Sequence, residues 1–318
     1  DNSWARRGVF NRKEMNKCKI CEEEFSSERS LHAHLKCHKI TLAEYYTKYY
    51  PRYNLYNGDP LPFKKKDEYF SKDFSTHAQL LKWCAREPAG IVKPYILELL
   101  KRRIEQKELK FGPSYLELKL HELPTIEIYK KHFGSYTAAC QEAGVKPMYG
   151  SPLPDVWKNK IDDVEIFIDT REQQPLQFNK SQSLKLDFGD YAVGQDDYDY
   201  TYVDRKGEQD FKSTLSKNNL ERFEYELQRT KEFDSYLFIV TESPIWQIKK
   251  NNRWGAHKSN LSYIYHNMRV LNHKFAGHCQ FIFTKDREHS QNIIPKLLVL
   301  GRKLWNVDLQ YYIDKDLI

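Results

Sequence analysis

"DYTYVDRK" (Asp199–Lys206), continued by Gly207, Glu208, Gln209 and Asp210, is the stretch on which the reading of the chain turns. It has the period of two that an extended strand imposes, so Tyr202, Asp204 and Lys206 share one face while Val203 and Arg205 point the other way. A carboxylate and an ammonium therefore emerge side by side. Two strand-like segments precede it, "VEIFIDTRE" (Val164–Glu172) and "LKLDFGDYAV" (Leu184–Val193). Within the latter, Gly189 lets the backbone turn before Asp190, which brings a second carboxylate alongside the first. Working outward, "NNLERFEYELQRTKEF" reads as a helix with Leu220, Phe223 and Leu227 on one face. "SYLFIVTE" is a nearly continuous apolar run, as a strand buried on both faces requires. "CQFIFTKD" adds a strand, and "SQNIIPKLLVLGRKLW" a closing helix bent at Pro295. The expected fold class is α/β, a mixed sheet flanked by helices.

Two carboxylates and a lysine at strand ends are what metal-assisted hydrolysis of a phosphodiester needs. The carboxylates hold Mg²⁺ or Mn²⁺, which acidifies a bound water and offsets charge on the phosphate. The lysine orients that water or neutralises the phosphate. A single D-x-K is a common surface feature, but here D-T-R-E, G-D-Y and D-R-K-x3-D follow one another, each at a strand end. That series resembles the nuclease domain of the XPF/Hef-type family within the PD-(D/E)xK superfamily, from about Asp163 to Trp305. The family's first motif falls on Asp169, Arg171 and Glu172, its second on Gly189, Asp190 and Tyr191, and its third on Asp204, Arg205, Lys206 and Asp210. The third motif usually opens with Glu; Asp204 is one methylene shorter. The resemblance implies a restriction-endonuclease-like fold. It also implies catalytic roles for Asp169, Arg171, Glu172, Asp190, Asp204, Arg205, Lys206 and Asp210, with the catalytic metal on Asp190 and Asp204.

Near the start of the chain, "CKICEEEFSSERSLHAHLKCH" (Cys18–His38) spaces Cys18, Cys21, His34 and His38 as C-x2-C, twelve residues, H-x3-H. Four such ligands suit tetrahedral Zn²⁺, with Phe25 and Leu31 as a small apolar core. The stretch resembles the two-Cys, two-His zinc finger, which implies a ββα unit and a structural zinc. His32 and Cys37 are spare candidate ligands. The helix positions that read bases in that family fall on Ser27, Ser30 and Ala33, which make weak base contacts. The finger is therefore expected to sit on the DNA backbone or pack on a neighbour.

Between these ends, "ITLAEYYTKYY" (Ile40–Tyr50) and the spans 76–86 and 93–107 are predicted helical. Phe111–Pro147 predicts three short helices with tight turns, the first opened by Pro113–Ser114 and the next two capped at Thr125 and Ser135. Phe133, Gly134, Ser135, Tyr136, Ala139, Ala143 and Gly144 make this stretch similar to the homing-endonuclease-associated repeat. In that reading its second helix enters a DNA groove with Glu127, Lys130 and Lys131 facing out. The domain organisation expected is a zinc finger (1–40), a helical linker region (41–110), the repeat (111–148) and the nuclease domain (149–318).

Charge agrees with a nucleic-acid partner at the front. Residues 1–148 hold 27 Lys+Arg against 19 Asp+Glu, a net +8, and the remaining 170 hold 24 against 25, a net −1. No apolar run approaches a membrane span and no signal peptide is visible, although the chain starts at Asp1 rather than Met. Cys37, Cys84, Cys140 and Cys279 are scattered, as intracellular thiols are. An intracellular location follows, the cytoplasm of a prokaryotic host or a nucleus. The expected function is site-specific cleavage of double-stranded DNA of the homing or mobile-element kind, because the chain stops at Ile318 without the helix-hairpin-helix modules usual in XPF-type enzymes. Structure-selective cleavage of flaps or forks is the alternative, and DNA binding on a dead nuclease core a third. One active site nicks one strand, so a double-strand break would take a homodimer or two events.

Overall fold

The computed structural model describes residues 16–161, 164–194, 198–256 and 258–318. The first fifteen residues of the expected finger stretch lie outside this set. The chain divides into two compact units, Asp1–Pro94 and Tyr95–Ile318.

In the first unit a single antiparallel bridge, Lys17 to Glu24, stands where a two-stranded hairpin was expected. It is followed by α1 (Glu28–His34), running into a 3₁₀ turn at Leu35–His38. Ser27 is the N-cap of α1, its hydroxyl accepting from the backbone N–H of Ser30. Helices α2 (Leu42–Tyr49), α3 (Lys66–Ser71) and α4 (His77–Arg86) complete the unit, and α5 (Ala89–Lys107) crosses the division. The finger cannot bury enough on its own, and it shares a core with α2. Cys18, Leu31 and Leu35 pack with Tyr45, Tyr46, Tyr50, Leu61 and Tyr69. The Tyr45 hydroxyl accepts from the Lys19 N–H at 2.9 Å. Of the two neighbours expected for the finger, one is therefore the protein itself.

The second unit is a mixed α/β fold around a six-stranded sheet. Its elements are β1 (Phe111–Gly112), α6 (Tyr115–Leu120), α7 (Ile126–Phe133), α8 (Tyr136–Glu142), β2 (Lys146–Pro147), β3 (Glu165–Asp169), β4 (Lys180–Leu184), β5 (Tyr191–Val193) and β6 (Thr201–Lys206). Then come α9 (Glu208–Thr214), α10 (Leu220–Glu232), β7 (Tyr236–Thr241), α11 (Ile245–Trp254), α12 (Leu261–Lys274), β8 (Cys279–Phe283), α13 (Arg287–Leu300) and α14 (Leu309–Asp314). The sheet order is β4-β3-β5-β6-β7-β8. β5 runs antiparallel to both β3 and β6, and the remaining pairs are parallel. Every residue of β7 is buried, as its unbroken apolar run requires. Tyr202, Leu237, Ile239, Phe281 and Phe283 pack on one face with residues of α9, α10 and α12. Val203, Phe238, Val240 and Ile282 pack on the other with residues of α13 and α14. Among the described residues no helix is long and apolar enough to cross a membrane.

Leu184–Val193 was expected to be one strand. It is instead the end of β4, a connection, and the short β5. Two contacts break it. The Leu186 N–H turns to the Asp169 carboxylate at 2.7 Å instead of a ladder partner. Gly189 adopts φ +59°, where a Cβ would lie 2.6 Å from the Val203 carbonyl oxygen.

The three short helices of 111–147 are present, in the same compact unit as the sheet. Two of the expected DNA-binding residues, while open to solvent, also make contacts within the unit. Glu127 pairs with Lys315 at 2.8 Å, just beyond α14, and the Lys130 ammonium lies 5.1 Å from the Tyr311 ring centroid. These contacts tie α7 to the chain around α14, whose aromatic side chains the sequence reading had left without a role, and leave Lys130 exposed. Lys131, exposed on the same helix, has other contacts. Glu117 of α6 anchors this region from beneath. Its carboxylate is buried, takes a two-pronged contact from Arg103 (2.8 and 3.0 Å), and pairs with His273 of α12 at 3.0 Å.

Two substitutions test these joints. Gly189→Ala forces a Cβ onto backbone in a left-handed conformation, and is expected to cost about 2 kcal/mol or more in urea unfolding. Glu117→Ala leaves Arg103 and His273 buried without their counter-ion, and is expected to cost about 3 kcal/mol. Losses below about 0.5 kcal/mol, the level of an ordinary surface change, would contradict the assigned contacts.

Candidate active site

The site forms at the end of the sheet where β5 and β6 meet. Asp190 precedes β5 directly after the Gly189 turn, and its N–H donates to the Val203 carbonyl at 2.8 Å. Its Oδ2 accepts from the Arg205 N–H at 2.7 Å. Asp204 and Lys206 lie on the β6 face packed by α9 and α10, both under 10% exposed. The Lys206 ammonium pairs with Asp204 at 2.8 Å and with Asp210 of α9 at 3.8 Å. It also lies 5.3 Å from the Phe223 ring centroid on α10. Burial opposes its charge, but Asp204, Asp210 and Asp190 outweigh burial and raise its pKa. Lys206 is therefore a fixed cation at neutral pH.

Asp190 behaves in the opposite way. Burial, followed by the Asp204 carboxylate, pushes its carboxyl up to about 8, and Glu172 adds to the effect. Even with the Lys206 ammonium nearby, burial and the neighbouring carboxylate make Asp190 hold its proton more tightly than a free carboxyl does. A third carboxylate joins the pair. Glu226, on α10 one turn beyond Phe223, is raised by burial and then by Asp204, against the opposing charge of Lys206, and accepts from the Gly189 N–H. The sequence reading missed it. Leu220, Phe223 and Leu227 advertised the apolar face of the helix, but nothing in a single sequence says that Glu226, at the border of that face, meets the turn at Gly189.

Eight residues were expected at this site, and the structure sorts them. Asp190, Asp204, Lys206 and Asp210 come together. Asp169 does not join them directly. Its buried carboxylate binds Arg171 (2.6 and 3.0 Å) and the N–H groups of Arg171 and Leu186. Burial opposes its charge, and these contacts outweigh burial to hold its pKa low. Arg171 stays 65% exposed at this anchor, within electrostatic reach of Glu226 and Asp190. Glu172 and Arg205 belong to the opposite face. Arg205 bridges Glu172 (3.1 Å) and Glu242 (2.8 Å), and Glu242 also meets Arg287 of α13 at 3.3 Å. That network ties the loop after β3, the middle of the sheet and α13 together. The period of two had already placed Arg205 away from Lys206, although both stood in the expected set.

A second cluster lies in the first unit. The ligand atoms of Cys18, Cys21, His34 and His38 all fall within 4.8 Å of one another. The closest approaches are 3.0 Å between the two Nε2 atoms, 3.2 Å from Cys21 Sγ to His34 and 3.6 Å from Cys18 Sγ to His38. Those edges suit a tetrahedron with metal bonds of about 2.0 Å to nitrogen and 2.3 Å to sulfur. The spare ligands are disposed of: His32 bonds the Tyr46 hydroxyl at 2.9 Å, and Cys37 is exposed outside the cluster.

Comparisons with known proteins bear on the second unit. No curated protein matches the chain. Two solved structures are similar to it: XPF from Aeropyrum pernix in complex with DNA (21% identity, TM-score 0.33, covering 44% of this chain and 66% of that one) and XPF from Aeropyrum pernix (20% identity, TM-score 0.34, covering 44% and 67%). The chain thus spans about two thirds of those relatives. Residues 161–297 match the family model of the ERCC4 domain, and that stretch contains Asp190, Asp204, Lys206 and Glu226.

Proposed function

We propose that the protein is a divalent-cation-dependent DNA endonuclease whose hydrolytic centre is Asp190, Asp204 and Lys206, with Glu226 as a further carboxylate. The single observation that carries this is the crowding of Asp190 against Asp204 beside a fixed ammonium, within the stretch that matches the ERCC4 domain. The donor set fits Mg²⁺ or Mn²⁺: carboxylate oxygens, at a place where the anions repel one another until a cation arrives. When bound, such an ion supplies Lewis-acid polarisation of the phosphate and a more acidic water.

The chain's own residues do the rest. Lys206, held by Asp204 and Asp210, would orient a water or neutralise a phosphate oxygen brought to these carboxylates. It stabilises charge there without gaining or losing a proton. Arg171, steered by Asp169, offers an exposed guanidinium to a phosphate of the bound strand. Arg205, Glu172 and Glu242 hold the sheet end rigid from the opposite face and act as positioning residues.

Site-specific, homing-type cutting was the first expectation. Nothing in the contacts of α7 singles it out, and the ERCC4-domain match favours structure-selective cleavage of flaps or forks. We propose Zn²⁺ at Cys18, Cys21, His34 and His38 as a structural ion. It contributes about 10 kcal/mol to folding in isolated fingers.

Asp190→Asn and Lys206→Ala should each reduce cleavage of a synthetic fork roughly a thousandfold while DNA affinity in chelator stays within about threefold. Full activity in either variant would sink the assignment. Glu226→Gln should lower kcat with a smaller effect on KM; unchanged kinetics would remove Glu226 from the site. Metal analysis of the purified chain should find one zinc, lost on Cys21→Ser along with the heat stability of the first unit. Retention of that zinc would show the ligand set to be wrong.

A further inference from the structure

Helix α11 begins where the hydrolytic centre ends. In the parallel pairing of β6 with β7, Lys206 stands opposite Thr241, and the Glu242 N–H donates to the Lys206 carbonyl at 2.9 Å. Pro244 is the N-cap of α11, so the chain passes from the strand beside Lys206 into this helix within a few residues. A second link fixes the far end. Asn251 of α11 donates to the Glu208 carboxylate at 2.7 Å, and Glu208 lies on α9, the helix that also carries Asp210.

The inner side of α11 is ordinary: Ile245 and Ile248 are buried in the domain. Its outer side is not. Trp246 is 63% and Trp254 74% exposed. Lys249, Lys250 and Arg253 are exposed between them, and the helix contains no Asp or Glu. The order along the helix is indole, cations, indole at spacings of three and four, which puts all five on one stripe about 12 Å long. The Arg253 guanidinium lies 5.1 Å from the Trp254 ring centroid. Two indoles left open to water cost apolar surface, and three cations beside them call for an anionic partner.

We propose that this stripe of α11 binds unpaired DNA next to the cut, with Trp246 and Trp254 stacking on bases and Lys249, Lys250 and Arg253 pairing with phosphates. The inference rests on the nuclease reading and narrows its substrate. A duplex buries its base faces in its own stack and offers an indole nothing but sugar edges and phosphate. A single strand exposes base faces and a backbone together, which is the combination that the stripe complements. Attached through β7 and Glu208 to the residues around Lys206, the stripe would select junctions where duplex meets single strand and place the break beside them.

The test uses the full chain carrying Asp190→Asn, so that no DNA is cut, in buffer containing a chelator too weak to strip the zinc cluster. Affinity is measured for an oligo(dT) single strand, a blunt duplex and a flap of matching length. Trp246→Ala with Trp254→Ala should weaken single-strand and flap binding at least about tenfold and duplex binding less than about threefold. Trp246→Phe with Trp254→Phe should restore most of the loss, because a phenyl ring also stacks. Equal losses on all three DNAs, no loss at all, or a loss that Phe fails to rescue would overturn the proposal. So would a change from dimer to monomer in sedimentation, which would make the stripe a contact between copies of the chain. Failure of the nuclease reading is seen separately: the unsubstituted chain with Mg²⁺ or Mn²⁺ would cut none of the three DNAs, whatever the binding measurements gave.

Discussion

Lys206 is a buried ammonium with two acidic neighbours, Asp204 at 2.8 Å and Asp210 at 3.8 Å, and much of the second unit follows from keeping that arrangement. A cation of this kind is tolerated in a protein interior only when opposite charge stands beside it. Asp204 comes from two positions earlier on the same strand, and Asp210 from one helical turn later. Asp190 can reach the edge only because Gly189 takes a left-handed conformation tight against Val203. With Glu226 added from α10, the carboxylates exceed what one ammonium can balance. Burial first, and then the Asp204 carboxylate, push the Asp190 carboxyl up to about 8. A divalent cation is the simplest group that would relieve the excess, and this is why an arrangement that is costly in the free protein is useful in a nuclease.

The opposite face of the same strand shows how such a site is held still. Arg205 points away from Lys206 and joins Glu172 to Glu242, and Glu242 continues to Arg287. Residues one position apart on a strand therefore do different work, one at the acidic edge and one as a brace. The family motif writes Asp204, Arg205 and Lys206 as one block, but the period of the strand divides them.

Much of this was legible in the sequence because strand periodicity is local. The face shared by Tyr202, Asp204 and Lys206, the fully buried β7 and the helix of Phe223 and Leu227 all follow from patterns a few residues long. The cluster of Cys18, Cys21, His34 and His38 was legible for the same reason, since its spacing encodes a turn and a helix. What was not legible depended on distant partners. Leu184–Val193 read as one strand because its apolar residues alternate, but the Leu186 N–H is claimed by Asp169. The contacts of Glu127 with Lys315 and of Lys130 with Tyr311 went unread because the chain around α14, more than 170 residues later, cannot be placed from sequence. Glu226 looked like one more charge on an amphipathic helix until the turn at Gly189 met it. The aromatic and basic side of α11 went unread since its function depends on lying next to Lys206 in space.

The account stands on Asp190 and Asp204 forming a site for a divalent cation, and direct binding of Mn²⁺ tests this without any DNA. Titration of the zinc-loaded chain with Mn²⁺, followed by electron paramagnetic resonance, should show one Mn²⁺ per chain bound well above the background of scattered surface carboxylates. The Asp190→Asn, Asp204→Asn double variant should lose that site while its circular dichroism stays unchanged. If the double variant binds Mn²⁺ as the unsubstituted chain does, the crowded carboxylates are not the metal site and the hydrolytic centre must be sought elsewhere.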